Sequence, residues 1–107
     1  MSNYPTNIPL PNKDQLFDGS TTVEIYKQIG LSHRDMIIDW TDLKSDGDIL
    51  DVGSGIGRMA IPLTETISKE GSYRGFDVNK MGVKWCQENI TPRFPNFQFQ
   101  HADIYNK

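Results

Sequence analysis

The sequence predicts an α/β fold, a parallel β-α-β-α-β unit preceded by N-terminal helices. Three observations point to it. First, Asp48-Ile49-Leu50-Asp51-Val52 is a short apolar run that reads as a buried strand and leads directly into Gly53-Ser54-Gly55-Ile56-Gly57-Arg58, glycines on alternate positions before a helix-like segment. Second, strand-like and helix-like stretches alternate from there to the C-terminus, the pattern of parallel strands joined by crossovers. Third, Asp51, Asp77 and Asp103 fall at matching places, each at the end of an expected strand.

The elements follow in order. Residues 1–19 carry Pro5, Pro9 and Pro11 among Asn and Asp and read as an extended or disordered arm, leaving 20–107 as the domain. Thr21-Thr22-Val23-Glu24 reads as a capping box that opens a short helix, stopped by Gly30. Ser32 then caps a second helix, whose stripe of Met36, Ile37, Trp40 and Leu43 is expected to pack against a sheet. Lys44-Ser45-Asp46-Gly47 is a turn. The first strand covers Ile49 to Val52, and a helix runs from Gly57 to about Ser68 with Pro62 early in it. Ser72 to Val78 is the second strand and Lys80 to Ile90 the second crossover helix. Phe97, Phe99 and His101 alternate with Gln98, Gln100 and Ala102, so a third strand runs to Asp103.

Composition narrows the function classes. The 107 residues are 36% hydrophobic and 23% charged, which suits one folded domain. A net charge of −3 with no local Lys/Arg cluster argues against a nucleic-acid partner. One cysteine, Cys86, permits no internal disulfide and reads as a buried, inert thiol. His33 and His101 are far apart with no ligand spacing, so no metal site is expected. No signal sequence or membrane-length apolar run is visible, so a cytoplasmic protein is expected.

The chemistry lies at the strand ends. In a parallel sheet, Asp51, Asp77 and Asp103 share the C-terminal edge, where open α/β sheets bind ligands. Asp77 follows Gly57 by about 20 residues, the interval at which a carboxylate accepts from ribose hydroxyls. Asp103 is placed to accept from an exocyclic amine, and Val78 and Ile104 offer apolar faces to a flat base. A dinucleotide fingerprint needs a glycine where Arg58 stands, and a pyrophosphate is disfavoured beside Asp51. A cationic sulfonium bearing an amino group is favoured there.

Asp51-Val52-Gly53-Ser54-Gly55-Ile56-Gly57 resembles the first motif of class I S-adenosylmethionine-dependent methyltransferases. Gly75-Phe76-Asp77-Val78 resembles their ribose-binding strand end, and His101-Ala102-Asp103-Ile104 their adenine-contacting segment. The resemblance spans about Leu31 to Tyr105 and implies a Rossmann-like three-layer sandwich with strand order 3-2-1, a truncated form of the methyltransferase fold. It implies S-adenosylmethionine as cofactor, with Gly53 and Gly55 letting the backbone pass under its methionine part, Asp51 near that part, and Gly57 a further cofactor-binding residue of the motif. Asp77 then holds the ribose, Val78 packs on the adenine, Asp103 holds its amine and the Ile104 amide reaches a ring nitrogen. Tyr26 either closes over the cofactor or is a core tyrosine; Arg58 meets the cofactor carboxylate or only solvent.

The family sheet has seven strands, ordered 3-2-1-4-5-7-6, and the sequence stops after the third. The implied function is the cofactor-binding half of a methyltransferase, with no acceptor or general base assigned. Alone it is expected to bind cofactor weakly or not at all and to be inactive. The competing readings are a non-catalytic nucleoside-binding or assembly module and a nicotinamide-dependent oxidoreductase. In the order 3-2-1, strand one is an edge of central-strand composition, so either a homodimer through that edge or a longer parent chain is expected.

Overall fold

The computed structural model describes residues 4–17 and 19–103. Three parallel strands form one sheet: β1 (Asp48–Val52), β2 (Ser72–Asp77) and β3 (Phe97–His101), with β2 in the middle. Asp51 stands opposite Gly75, and Asp77 opposite His101. The expected parallel order is therefore present. The third strand ends two residues early, leaving Asp103 beyond it.

Three α-helices accompany the sheet: α1 (Val23–Thr41), α2 (Ala60–Leu63) and α3 (Lys80–Asn89). α1 is one helix, not the two expected. The Thr22 hydroxyl caps it, accepting from the Ile25 N–H at 3.1 Å, and Asp42 closes it in the left-handed conformation at φ 53°. Gly30 does not stop it. A Cβ on Gly30 would lie 2.2 Å from the Arg58 carbonyl oxygen and 3.1 Å from Pro62 Cγ, so glycine is there for close packing. That contact sets the buried side of α1, along Tyr26 and Gly30. Met36 and Trp40, expected against a sheet, are instead exposed, Trp40 by 75%.

α2 is also shorter than expected. Pro62 has no N–H to give to an interior helical bond. Past Leu63 the chain continues in turns, with the Thr64 hydroxyl donating to the Ile61 carbonyl at 2.6 Å. The Lys44–Gly47 turn forms as expected, closed by the Gly47 N–H on the Lys44 carbonyl at 3.0 Å.

One face of the sheet carries the core. Tyr73, Phe97 and Phe99 are buried there with Val83 and Cys86 of α3 and Ile90 just past its end, and Tyr73 stacks on Phe97 at 5.1 Å between ring centroids. The other face is open at β1, where Leu50 is 65% and Val52 80% exposed. The described part of the N-terminal arm packs on the core. It has little regular structure beyond a 3-10 turn at Lys13–Gln15, yet Tyr4, Ile8 and Pro11 are buried. Its prolines stiffen a segment whose apolar side chains cover the core.

Candidate functional site

The glycine turn joins β1 to α2 at the C-terminal edge of the sheet. Gly53, Gly55 and Gly57 have φ of 92°, 61° and 85°, all in the region side chains disfavour. The chain thus doubles back between the end of β1 and the core, and neighbouring elements hold it there. The N–H groups of Gly53 and Ser54 both donate to the Phe76 carbonyl, at 2.7 and 2.9 Å. Tyr26 donates its hydroxyl to the Ile56 carbonyl at 2.8 Å from a fully buried position. From the α3 side, Gly82 allows close approach: a Cβ there would sit 2.6 Å from the Gly55 carbonyl oxygen and 2.7 Å from the Phe17 ring.

Asp77, at the end of β2, ties this turn to the start of α3. One carboxylate oxygen accepts from the Gly55 N–H at 2.8 Å and the other from the Asn79 N–H at 2.7 Å. A carboxylate has about four acceptor positions, so two remain for a ligand. The same side chain can shape the turn and receive hydroxyl groups.

Two clefts meet at Gly53. The first, about 200 Å³, is lined by His33, Asp51, Gly53, Ser54, Gly55, Arg58 and Met59. The second, about 190 Å³, is lined by Val52, Gly53, Phe76, Asp77, Val78 and Ala102. The first mixes apolar surface with the ionisable or polar side chains of His33, Asp51, Ser54 and Arg58; the second is mostly apolar with the Asp77 carboxylate at its margin. A Cβ added at Gly53 would meet nothing within 4 Å, so the floor between the clefts is open to a ligand.

Asp51 has an unusual setting. Burial pushes its carboxyl above the ordinary carboxylate range; the Tyr73 hydrogen bond opposes that shift, Asp77 adds to it and His33 counters it. The Tyr73 hydroxyl donates to Asp51 Oδ2 from a fully buried ring. Ser54, 5% exposed, has its hydroxyl buried with no hydrogen-bond partner among the described residues. An orphaned hydroxyl costs about 1–3 kcal/mol of lost hydration, which a polar ligand atom would return.

The structure brings Asp51, Gly53, Gly55, Asp77 and Val78 to this rim. Gly57 is elsewhere: it is buried under α3, where a Cβ would sit 3.0 Å from Ile90 Cδ1 and 3.3 Å from Cys86 Sγ. Asp103 is exposed and lines neither cleft; its neighbour Ala102 lines the second. Ile104 lies outside the described residues. Tyr26 is a core tyrosine, and Arg58 lines the first cleft while donating to Ser20 Oγ at 3.3 Å. His33, Ser54, Met59 and Tyr73 were not legible as site residues. His33 follows the buried Tyr26 by seven residues, two helical turns, and that spacing was the available signal.

A family model described as a methyltransferase domain matches residues 49–107, more than half of the chain. The chain is 28% identical over 98 residues to the uncharacterized protein YbxB of Bacillus subtilis (strain 168), covering 91% of this chain and 48% of that protein. It is 35% identical over 51 residues to the tRNA1(Val) (adenine(37)-N6)-methyltransferase of Haemophilus influenzae (strain PittGG), covering 48% and 22% respectively. Among solved structures, an S-adenosyl-L-methionine-dependent methyltransferase assignment from Methanococcus maripaludis aligns with a TM-score of 0.61 at 24% identity, over 77% of this chain and 37% of that one. Coclaurine N-methyltransferase, solved with N-methylheliamine and SAH, aligns with a TM-score of 0.59 at 17% identity, over 86% and 26%. These structural likenesses are likenesses of fold. The chain spans about half or less of the length of the relatives it matches.

Proposed function

Because the chain belongs to the methyltransferase-domain family, we propose that its two joined clefts bind S-adenosylmethionine and that it is the cofactor-binding half of a methyltransferase. The observation that carries this reading is the meeting at Gly53 of a cleft bearing Asp51, His33 and Arg58 and a largely apolar cleft edged by Asp77. The residues fit the group. The open floor at Gly53 admits a ligand close to the backbone, the Ser54 hydroxyl lacks a partner, and Asp51 is a desolvated anion that a cation would favour.

In this reading Asp51 holds the ammonium end, Asp77 the ribose hydroxyls, and Val78 with Phe76 the base. Asp103 and Ile104 are proposed at the adenine edge, and Arg58 at the carboxylate. Gly55 and Gly57 shape the turn. When bound, S-adenosylmethionine supplies a methyl group activated on a sulfonium. The chain's own contribution is to orient that group, which is how proximity catalysis works; no general base or acceptor is assigned. Methyl transfer is proposed to need elements beyond these residues, so robust turnover by the 107-residue chain alone would count against the reading.

The open edge of β1, with Leu50 and Val52 exposed, supports pairing with a second copy as a further part of the proposal. A cytoplasmic setting is part of the proposal; no helix among the described residues is long and apolar enough to cross a membrane.

The test is ligand-observed NMR with S-adenosylhomocysteine and, separately, NAD. Of the two outcomes expected for the isolated chain, weak binding or none, the proposed clefts require weak but measurable binding of the first ligand alone, and that binding weakens at least tenfold in Asp51→Ala. Preference for NAD would remove the reading. A pocket that binds but never supports transfer in any longer parent chain would favour the alternative, a non-catalytic nucleoside-binding or assembly module.

A further inference from the structure

We propose that Tyr73 is a positioning residue of the cofactor site, fixing Asp51 so that one carboxylate oxygen is committed to the core and the other is left for the ammonium end of the ligand. The inference rests on the reading of the site given above and goes beyond it by naming a residue that touches neither cleft.

The geometry is set by the strand register. Ile49 stands opposite Tyr73 and Asp51 opposite Gly75, so Tyr73 and Asp51 are diagonal neighbours on the same face of the sheet. The tyrosine side chain is long enough to cross that diagonal. Its ring is fully buried and clamped, stacked on Phe97 at 5.1 Å and tilted against Phe99 at 5.5 Å between centroids. Its hydroxyl therefore has one place to point, and it donates to Asp51 Oδ2. Phenylalanine would fill the same volume without a donor, so the hydroxyl itself is what the aspartate uses.

The consequence is orientational. Asp51 lines the first cleft, and an untethered carboxylate there would have rotamer freedom and no fixed face. A charge-assisted hydrogen bond from a rigid donor removes that freedom before the ligand arrives. The groups facing Asp51 from the surrounding elements are Tyr73 and Asp77 of β2, His33 of α1 and Cys86 of α3, with Arg58 of the glycine turn lining the same cleft. Tyr73 alone among them makes a hydrogen bond to its side chain in the described contacts.

The experiment compares two probes on the full chain: S-adenosylhomocysteine, which carries the amino-acid end, and 5′-methylthioadenosine, which lacks it. In Tyr73→Phe, affinity for the first is expected to fall about tenfold, the size of a lost charge-assisted hydrogen bond, while affinity for the second stays within about twofold. Equal losses for both probes, or no loss for either, would overturn the proposal. Placed on Asp51→Ala, which removes the acceptor, the same change is expected to add nothing to the loss; an added loss shows the hydroxyl acting elsewhere and overturns it as well. A ligand-free readout separates this inference from the function reading: the NMR titration of the Asp51 side-chain carboxyl is expected to move to higher pH in Tyr73→Phe, because the hydrogen bond favours the charged form. An unmoved midpoint sinks the role of Tyr73. If wild-type protein binds neither probe, the function reading fails while the titration still decides the Tyr73–Asp51 link.

Discussion

At the scale of single residues, the site depends on conformations and charges that cost the folded chain something. Gly53→Ala places a Cβ where there is room but at φ 92°, which a side chain resists by about 1–2 kcal/mol. A fall in melting temperature of several degrees is expected, with loss of S-adenosylhomocysteine binding of tenfold or more, both readable in one thermal-shift titration. Asp51 works against the fold at neutral pH. Burial raises its carboxyl, so folding favours the protonated form. Its support for the fold is complete below the ordinary carboxylate range, near pH 4, and is lost as pH rises through the raised folded value. Urea denaturation of Asp51→Asn across pH 4 to 7 should therefore show a variant whose stability relative to wild type rises with pH. The sequence made Asp51, Gly53 and Asp77 legible because each sits in a local pattern of strand end and glycine turn. Tyr73 and Ser54 carry no such pattern; their roles arise from what lies across the sheet and beneath the turn.

Elements divide in the same way. The strands were readable, since alternation and apolar runs are properties of a few adjacent residues. Helices were harder, because their ends depend on partners. Gly30 is the instructive case. Local propensity makes it a stop, whereas its neighbours in space make it the contact point of α1 with Arg58 and Pro62. Gly30→Ala separates the two accounts. Helix propensity alone predicts a gain of about 1 kcal/mol. A Cβ 2.2 Å from the Arg58 carbonyl predicts overpacking of about 1–3 kcal/mol against it. A net loss of stability is expected on denaturant unfolding, accompanied by weaker ligand binding, since Arg58 lines the cleft that holds Asp51.

For the whole molecule, the arm and the open edge are the features that matter. Ile8 is 5% exposed and belongs to the core cluster. Ile8→Ala is expected to cost about 2–4 kcal/mol, as burial of a large aliphatic side chain implies; a loose arm would lose nothing measurable. Composition pointed the other way because proline-rich, polar termini usually fray, and only the assembled core shows where Tyr4 and Ile8 go. At the other side, β1 pairs with β2 alone among the described strands and exposes Leu50 and Val52. Sedimentation over a concentration series should detect self-association that Leu50→Lys abolishes, because a charge on an edge strand blocks pairing. A monomer at all concentrations would remove the dimer.

By itself the sequence determined the parallel α/β order, the glycine turn and the place of Asp51 and Asp77 beside it, because each is written in residues close together along the chain; Asp103, expected at the third strand's end, lies beyond it. Tertiary structure alone decided which glycines face a ligand and which face α3, that α1 passes through Gly30 unbroken, and that a buried tyrosine holds Asp51. Those outcomes depend on atoms brought within a few ångströms by folding from distant positions, and no local pattern encodes such contacts.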